Sequence, residues 1–270
     1  MVIDSTVAHP ARRYNYWLGG SHHFEADRAS GDAIEAAMPT IRLMATENRR
    51  FLGRAARYLA DQGVRQFLDI GTGIPAPGGL LDSVPSSSRI VFVDNDPLVQ
   101  EHSAALAAGD GHVYVEGDLR SPRAILAHPA LRATLDLREP VGLMLVAVLH
   151  FVRDDEDPQE IVRTLVSALP SGSYLVASHA TWEYLPPAVV ERLTAQNSDG
   201  RFTPRSGSSF AAFFDGLSLV PPGLESVAHW HAPGALPSLP EGSLPEGSLP
   251  EGSLPKVEDV GCNGLVARVP

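Results

Sequence analysis

A glycine-rich segment, DIGTG at residues 69–73, directly follows a short run of apolar residues. Glycines at the end of a strand allow a tight turn and let a ligand approach the backbone closely. Together with Ala76, the segment also satisfies the relaxed dinucleotide pattern G-x-G-x-x-G/A. The motif by itself therefore indicates a nucleotide-like ligand and leaves its class open.

Two features of the neighbouring sequence separate the ligand classes. A pyrophosphate over a helix N-terminus needs free backbone N–H donors, and Pro75 and Pro77 each remove one. The predicted strand ends also carry a row of acidic residues, namely Asp69, Asp94, Asp96, Glu116 and Asp118. Such a row would repel a pyrophosphate but suits a ligand with an amino group, a sulfonium and ribose hydroxyls. S-adenosylmethionine fits that description.

Two of these carboxylates receive specific predicted roles. Asp94 closes the second strand at roughly the 20-residue offset from the glycines at which an acidic residue reaches ribose hydroxyls. Asp118 closes the third strand and is predicted to accept a hydrogen bond from the adenine amino group, with the Leu119 backbone meeting the ring. The competing interpretation for both is a loop aspartate that caps the next helix. The complete predicted cofactor-binding set is Asp69, Gly71, Thr72, Gly73, Asp94, Asn95, Asp118, Leu119 and His150.

Histidines end the fourth and fifth predicted strands, at the same edge of the sheet. A histidine there could remove a proton from a methyl acceptor, because its pKa lies near the working pH. A neutral histidine bonded to the cofactor or to backbone is equally compatible with the sequence, and for His179 that structural role is favoured. Methyl transfer can also proceed by alignment alone, so no base is obligatory. The predicted catalytic set is His150, Tyr16 and His179.

Aromatic residues cluster near the N-terminus, beside Gly19 and Gly20. Such a segment could act as a lid that excludes water and stacks on an aromatic acceptor. Alternatively, the rings only dock the N-terminus onto the domain. Trp182, just beyond the fifth strand, is predicted to line the acceptor pocket. The predicted substrate-binding set is Tyr14, Tyr16, Trp17, Phe24 and Trp182.

The elements that position these residues follow from the hydrophobic pattern. Residues 27–60 are predicted to be helical, with a break at Pro39. From Phe67 onward, short apolar runs alternate with helical stretches, which is typical of a doubly wound, mostly parallel α/β sheet. The predicted strands are FLDI, RIVFVD, HVYVEGD, VGLMLVAVLHF and SYLVAS, then a sixth within 217–230 and a seventh at 264–269. The predicted later helices are 80–84, 97–108, 123–137, 158–169 and 184–196.

Length and pattern predict one large domain with additions. The predicted parts are a helical lid at 1–60, a Rossmann-like core at 61–235, a flexible loop at 236–255 and a final strand of the core at 256–270. The loop contains LPEGS at Leu239, Leu244 and Leu249. Proline removes backbone donors and glycine adds chain entropy, so this repeat is expected to be a mobile linker.

The net charge, the cysteine count and the lack of targeting motifs argue against several classes of protein. A formal net charge of -11 argues against a protein that binds nucleic acid mainly through phosphates. The single cysteine, Cys262, excludes an internal disulfide and favours a reducing compartment. Neither a secretory signal nor a membrane span is recognisable, so we expect a cytoplasmic protein with a small-molecule substrate. His22-His23 and His229-x-His231 lack companion ligands, so no metal site is predicted.

Seven longer strings of the sequence are distinctive: ARRYNYWLGGSHHFEADR (11–28), ENRRFLGRAARYLA (47–60), QFLDIGTGIP (66–75), VFVDNDP (91–97), LMLVAVLHFV (143–152), GSYLVASHAT (172–181) and FFDGLSLVPPG (213–223). Through these strings the chain resembles a known family, the actinobacterial S-adenosylmethionine-dependent methyltransferases long catalogued as a domain of unknown function. The resemblance covers nearly the whole chain. Family members usually carry Asp where Asn15 stands, and the LPEGS repeat is peculiar to this chain.

The resemblance implies the seven-stranded class I methyltransferase fold, with the N-terminal segment folded over the pocket. It also implies that Asp69, Gly71, Gly73, Asp94 and Asp118 surround the cofactor. Some similar enzymes tailor small aromatic natural products, including indoles. The main prediction is thus methyl transfer from S-adenosylmethionine to such a small molecule. The alternatives are a non-catalytic S-adenosylmethionine sensor or scaffold, and a nicotinamide-dependent oxidoreductase.

Overall fold

Helices precede the sheet, as the sequence predicts. The computed structural model describes residues 3–106, 111–198, 200–232 and 254–270. Its first elements are α1 (Pro10–Trp17), α2 (Glu25–Ala37) and α3 (Ile41–Asp61). Proline at the first position of α1 lacks an N–H that the helix would leave unpaired anyway. Helix α3 buries Phe51, Ala55 and Leu59 on one stripe, so it packs lengthwise against the sheet.

The sheet is mostly parallel and open, which confirms the predicted α/β class. Its strands are β1 (Gln66–Ile70), β2 (Arg89–Asp94), β3 (His112–Glu116), β4 (Gly142–Val146), β5 (Tyr174–Ala180), β6 (Ser218–Leu219), β7 (Glu225–Ser226) and β8 (Cys262–Arg268). The order is β3-β2-β1-β4-β5-β8-β6, with β7 also paired to β8. Strands β1 to β5 run parallel, and β8 runs antiparallel to β5.

Helices cover both faces of the sheet and create two apolar layers. The later helices are α4 (Pro97–Leu106), α5 (Pro122–Ala127), α6 (Pro129–Thr134), α7 (Pro158–Ser167), α8 (Pro187–Gln196), α9 (Gly207–Ala211) and α10 (Val257–Val260). One layer joins the strands to α5, α6, α7 and α9. The other joins them to α3, where fully buried Trp230 packs edge-on against Phe51. The strands are thus buried on both faces, as a doubly wound sheet requires.

Two local predictions were wrong. The predicted sixth strand is two short strands, β6 and β7, because Pro221 and Pro222 between them supply no N–H to the ladder. The predicted helix at 80–84 is a series of turns. The LPEGS repeat lies outside the described residues, apart from Leu254 and Pro255 at its end. Within the described ranges, no helix is both long enough and apolar enough to cross a membrane.

Candidate active site

A cavity of about 1030 Å³ lies at the carboxyl ends of the parallel strands. The loops after β1, β2, β3 and β4 form one wall, and residues of α1, α2, α3 and α8 form the other. Ligands of doubly wound proteins bind in this crevice outside the strand ends. The cavity contains twelve of the predicted site residues, namely Tyr14, Trp17, Asp69, Gly71, Thr72, Gly73, Asp94, Asn95, Asp118, Leu119, His150 and Trp182.

The glycine loop has the conformation that its sequence predicts. Gly71 has a φ of 78° and Gly73 a φ of 66°, in the region that side chains rarely adopt. A Cβ atom on Gly71 would also lie 2.5 Å from Cγ2 of Val148, in the turn after β4. A Cβ atom on Gly73 would meet nothing within 4 Å. At position 71 a glycine is therefore required by the positive φ and by the contact with Val148. At position 73 it is required by the positive φ alone.

Asp94 connects the glycine loop to the end of β2. Its Oδ2 accepts a hydrogen bond from the Gly73 N–H at 2.8 Å, and its Oδ1 accepts one from the Asp96 N–H at 3.0 Å. Burial raises the pKa of Asp94, and these two hydrogen bonds oppose the rise. Each carboxylate oxygen keeps a second lone pair for a ligand hydroxyl. Asp94 thus stabilises the backbone of the two loops, as a structural loop aspartate would. Its oxygens can still accept hydrogen bonds from ribose hydroxyls.

Asp69 and Arg49 lie at the same end of the cavity with opposite charges. Burial raises the pKa of Asp69 to about 6, although the Thr72 hydroxyl and the positive charge of Arg49 act against that rise. Arg49 is a residue that the sequence reasoning missed. Its Nε is buried without a hydrogen-bond partner among the described residues, and its guanidinium lies 5.8 Å from the ring centre of Tyr14. A ligand carboxylate would satisfy that donor.

Asp118 is held in an ion-pair network at the outer end of the cavity. Its Oδ1 lies 3.1 Å from Nη1 of Arg120, and its Oδ2 accepts from Nδ2 of Asn95 at 3.3 Å. Arg120 also donates to Glu156 Oε1 at 2.7 Å and to the Phe151 carbonyl at 2.7 Å. The Asp118 side chain is 38% exposed. It is therefore oriented by its neighbours and still reachable by a ligand.

The N-terminal helix is fastened to the end of β2. Arg12 donates through Nε and Nη2 to the two oxygens of Asp96, at 3.0 and 2.9 Å. Nδ1 of His9 lies 3.1 Å from the same carboxylate. Burial alone would raise the pKa of Asp96, but the hydrogen bonds from His9 and Arg12 outweigh it and hold the pKa below its usual range. This buried ion pair therefore holds helix α1 in place, where its residues form part of the cavity wall.

His150 lines the cavity as a neutral ring. Its Nδ1 accepts from the Ala180 N–H at 3.4 Å, which places the proton on Nε2. Burial lowers the pKa of His150 well below its usual value, and His179 and Arg205 lower it further. A ring in this state donates a hydrogen bond from Nε2 and is poorly suited to remove a proton. The arrangement supports the neutral alternative for His150.

Three predicted site residues lie outside the cavity lining, so we correct their predicted placement. His179 is buried, with Nδ1 against the Ala180 carbonyl at 2.8 Å and Nε2 against Arg205 at 3.0 Å. Tyr16 faces away, and its hydroxyl donates to Asp32 at 2.7 Å. Phe24 packs beneath Arg12, whose guanidinium lies 5.3 Å from the ring centre. In each case the side chain that was expected to contact a ligand contacts other protein groups.

The part of the cavity formed by the N-terminal helices, α8 and the loop after β5 is largely apolar and aromatic. Trp182 stacks on Phe202 with ring centres 6.4 Å apart, and Phe202 also lies 4.8 Å from the His150 ring. The other apolar side chains of this part are Trp17, Ile34, Met38, Ile41, Met44, Leu185 and Leu193. Phe202 was missed because it lies in a loop without a strand or helix pattern. The cavity therefore has an acidic end, where Arg49 and Arg120 lie beside the carboxylates, and a largely apolar, aromatic end.

Comparisons with known proteins agree with this architecture. The family model described as S-adenosyl methyltransferase matches residues 1–248. The chain is similar to a DUF574 family protein from Streptomyces avermitilis, at 39% identity over 100% of both chains with a TM-score of 0.86. It is also similar to a protein from Thermobifida fusca described as a putative methyltransferase, at 30% identity over 98% and 96% of the two chains with a TM-score of 0.83. None of the curated proteins searched matches the chain.

A more distant structure shares the fold. The N-methyltransferase NodS from Bradyrhizobium japonicum, in complex with S-adenosyl-L-homocysteine, is 13% identical over 96% of this chain and 99% of its own, with a TM-score of 0.50. This likeness confirms the class I methyltransferase sheet. The site itself fits the cofactor. Arg49 Nε, which has no hydrogen-bond partner in the described part of the chain, complements a carboxylate, and the strand-end carboxylates complement an ammonium and ribose hydroxyls. The chain belongs to the S-adenosyl methyltransferase family, whose cofactor is S-adenosylmethionine.

Proposed function

We propose that this methyltransferase transfers the methyl group to an apolar, aromatic small molecule that is bound in the same cavity as the cofactor. The observation that carries the proposal is the division of one cavity into an acidic end and an aromatic end. Its volume of about 1030 Å³ lies at the upper limit of small-molecule sites, which suits two ligands bound together. Tailoring of an aromatic or indole-containing natural product is the activity that this division favours.

The acidic end is assigned to the cofactor. Asp94 accepts from the ribose hydroxyls, and Asp118 with Asn95 and the Leu119 backbone meets the adenine. The loop of Gly71, Thr72 and Gly73 allows close approach. Support comes from their common location at the ends of β1, β2 and β3 and from the spare lone pairs of Asp94.

The amino-acid portion of the cofactor is assigned to the opposite charges beside the glycine loop. The Asp69 carboxylate attracts the ammonium group, and the Arg49 guanidinium binds the carboxylate. The buried Nε of Arg49 then gains the partner that it lacks among the described protein groups. The row of carboxylates also favours the positive charge of the sulfonium.

The aromatic end is assigned to the acceptor. Trp182, Phe202 and Trp17 offer flat surfaces for a planar ring, and Met38 and Met44 can adapt to its outline. Nε2–H of His150 can donate a hydrogen bond to an acceptor atom beside Phe202. The stacking surface and the His150 donor together favour a largely apolar, planar molecule.

When bound, the cofactor supplies an electrophilic methyl group on a positively charged sulfur. The residues of this chain contribute by binding and orienting the acceptor, excluding water and keeping compensating negative charge nearby. His150 acts as a hydrogen-bond donor, because its Nδ1 is occupied by the Ala180 N–H. Catalysis then depends mainly on alignment, which can supply most of a rate enhancement without proton transfer.

Calorimetric titration tests the cofactor assignment. We expect S-adenosylmethionine and S-adenosylhomocysteine to bind the wild-type protein, and NAD⁺ not to bind. Asp94→Asn should weaken binding at least tenfold, since it replaces one acceptor oxygen with a donor. Asp136→Asn is a matched control away from the cavity, at the amino end of β1, where the Asp136 N–H donates to Gln66 and its side chain pairs with exposed Arg138. Equal affinity of the two variants would contradict the assignment of Asp94.

The acceptor assignment needs a transfer assay. Isotope-labelled S-adenosylmethionine is incubated with a panel of indoles, other fused arenes and aliphatic amines of similar mass, and labelled products are identified by mass spectrometry. We expect turnover to be confined to the aromatic members and to fall when Trp182 is changed to Ala. Turnover of the aliphatic members alone would overturn the proposed acceptor class.

A further inference from the structure

A chain of hydrogen bonds links the N-terminal helix to the turn that follows β4. The Ala147 N–H donates to Ser178 Oγ at 2.9 Å, and the Ser178 hydroxyl donates to Asn48 Oδ1 at 2.5 Å. Nδ2 of Asn48 donates to the Tyr14 hydroxyl oxygen at 2.9 Å. The Tyr14 hydroxyl in turn donates to the Ala45 carbonyl at 2.9 Å. Four elements are joined in this way, namely β4 through its turn, β5, α3 and α1.

The direction of every bond in this chain is fixed. Because the Ser178 oxygen receives the Ala147 N–H, its own proton is available for the oxygen of the Asn48 amide. The Ala45 carbonyl can only accept, so the Tyr14 hydroxyl donates to it and accepts from the Asn48 amide nitrogen, which leaves Asn48 Oδ1 facing Ser178. Each hydroxyl thus donates once and accepts once, and the Asn48 amide can adopt only one orientation. Asn48 is buried and lines the cavity, so this orientation is held in the site itself.

The end of the chain is a strained residue. Ala147 has a φ of 55°, a left-handed conformation that residues with a side chain rarely adopt and that tends to occur at functional sites. Its neighbour Val148 occupies the space that a side chain on Gly71 would fill. Both Ala147 and Val148 line the cavity. The turn therefore lies directly against the glycine loop and depends on an external partner for its N–H.

We propose that Asn48 is a positioning residue that holds the Ala147 turn beside the glycine loop, and that Tyr14 makes this geometry depend on the docking of α1. The proposal rests on the proposed function in one respect, that the glycine loop is where the methyl donor binds. Helix α1 is fastened separately through the Arg12–Asp96 ion pair. The Tyr14 hydroxyl can therefore be removed while α1 stays attached. A variant without this hydroxyl tests the effect of the hydrogen-bond chain separately from the docking of the helix.

Amide hydrogen exchange of Ala147, followed by NMR in the ligand-free protein, is the direct measurement. In Ser178→Ala the Ala147 N–H loses its acceptor, and we expect its exchange to be at least tenfold faster. Ser178→Thr keeps the hydroxyl and should restore most of the protection. Exchange in Ser178→Ala that equals the wild-type rate would overturn the positioning role.

The Tyr14→Phe variant tests the link to α1. It retains the ring and removes only the hydroxyl, so we expect at least fivefold faster exchange at Ala147 and at least fivefold weaker binding of S-adenosylhomocysteine. Tyr58→Phe is the matched control, since Tyr58 on α3 packs against Trp230, away from the cavity. Its exchange and affinity should match the wild type. Unchanged exchange at Ala147 in Tyr14→Phe would overturn the coupling.

The exchange measurements are independent of the proposed function, whereas the affinity measurement depends on it. Exchange at Ala147 is measured without ligand, so the hydrogen-bond chain can be confirmed even if the wild-type protein does not bind S-adenosylmethionine. In that case the cofactor assignment fails and the positioning result stands. Conversely, tight cofactor binding with unchanged exchange in both variants would overturn only the positioning proposal. If Ser178→Ala does not fold, Tyr14→Phe decides the question alone.

Discussion

Arg12 and Asp96 form a bidentate ion pair in which the arginine side chain is 4% exposed and the aspartate 0%. The two residues lie 84 positions apart in the sequence, so their contact fixes α1 on the end of β2. Asp96 is also joined to Asp94, because its backbone N–H donates to Asp94 Oδ1. The position of the N-terminal helix and the geometry of the predicted ribose acceptor are therefore linked through adjacent residues.

Replacement of Arg12 by Ala leaves the buried Asp96 carboxylate with His9 as its remaining side-chain partner. We expect the free energy of unfolding to fall by about 3 kcal/mol, as is usual when one member of a buried ion pair is removed. Urea denaturation measures the change. Arg138→Ala is the control, because Arg138 is 89% exposed in its pair with Asp136 and its removal should change the free energy of unfolding very little. Similar losses in both variants would contradict the proposed role of the Arg12–Asp96 pair.

Asp69 predicts a pH dependence of cofactor affinity. Burial raises its pKa to about 6, and a cationic ligand favours the ionised form. Protonation below pH 6 removes that attraction, so affinity should be constant above about pH 7 and fall by up to about tenfold per pH unit below 6. Titration calorimetry from pH 5 to 8 measures this. Asp69→Asn should bind more weakly and flatten the profile, and an unaltered profile in that variant would assign the titration to another group.

The sequence predicts the sheet well because its strands are apolar on both faces. The predicted string RIVFVD coincides with β2 (Arg89–Asp94), and the glycine loop follows β1 as expected. Strand β8 and the helices α2 and α3 are also found near their predicted positions. The segment 217–230 was predicted as one strand because its apolar residues are evenly spread. The Pro221-Pro222 pair was the available signal against that prediction.

The site was predicted less completely, since it depends on which face of a helix points inward. Within α1 (Pro10–Trp17), Tyr14 and Trp17 are three residues apart and face the cavity, whereas Tyr16 faces Asp32. Helical periodicity would have separated them if the segment had been recognised as a helix. The contribution of Arg49 and Asn48 depends on partners far away in the sequence. No local pattern reports such contacts.

The two glycines of the loop should respond differently to alanine. Gly71→Ala adds a Cβ atom 2.5 Å from Val148 Cγ2 and also retains a φ of 78°. Gly73→Ala meets only the conformational penalty, at a φ of 66°. We expect losses of unfolding free energy of about 3 kcal/mol for Gly71→Ala and about 1 kcal/mol for Gly73→Ala. Thermal and urea unfolding measure both. A larger loss for Gly73→Ala would contradict the close contact between the glycine loop and the turn after β4.

His150 and His179 are predicted to be neutral rings of opposite tautomer. Nδ1 of His150 accepts from the Ala180 N–H, so its proton lies on Nε2. Nδ1 of His179 donates to the Ala180 carbonyl, and its Nε2 accepts from Arg205, so its proton lies on Nδ1. Burial lowers the pKa of His179 to about 4 and that of His150 well below its usual value.

Two-dimensional NMR of ¹⁵N-labelled histidine rings reports both the tautomer and its titration. We expect neither ring to become protonated between pH 8 and 6, and the shifts to identify Nε2–H in His150 and Nδ1–H in His179. Arg205→Lys should disturb the His179 signal first, because a lysine cannot reproduce the several directed N–H bonds of the guanidinium. A midpoint near pH 6.5 for His150 would restore it as a candidate general base, since the ring would then exchange its proton in the working range.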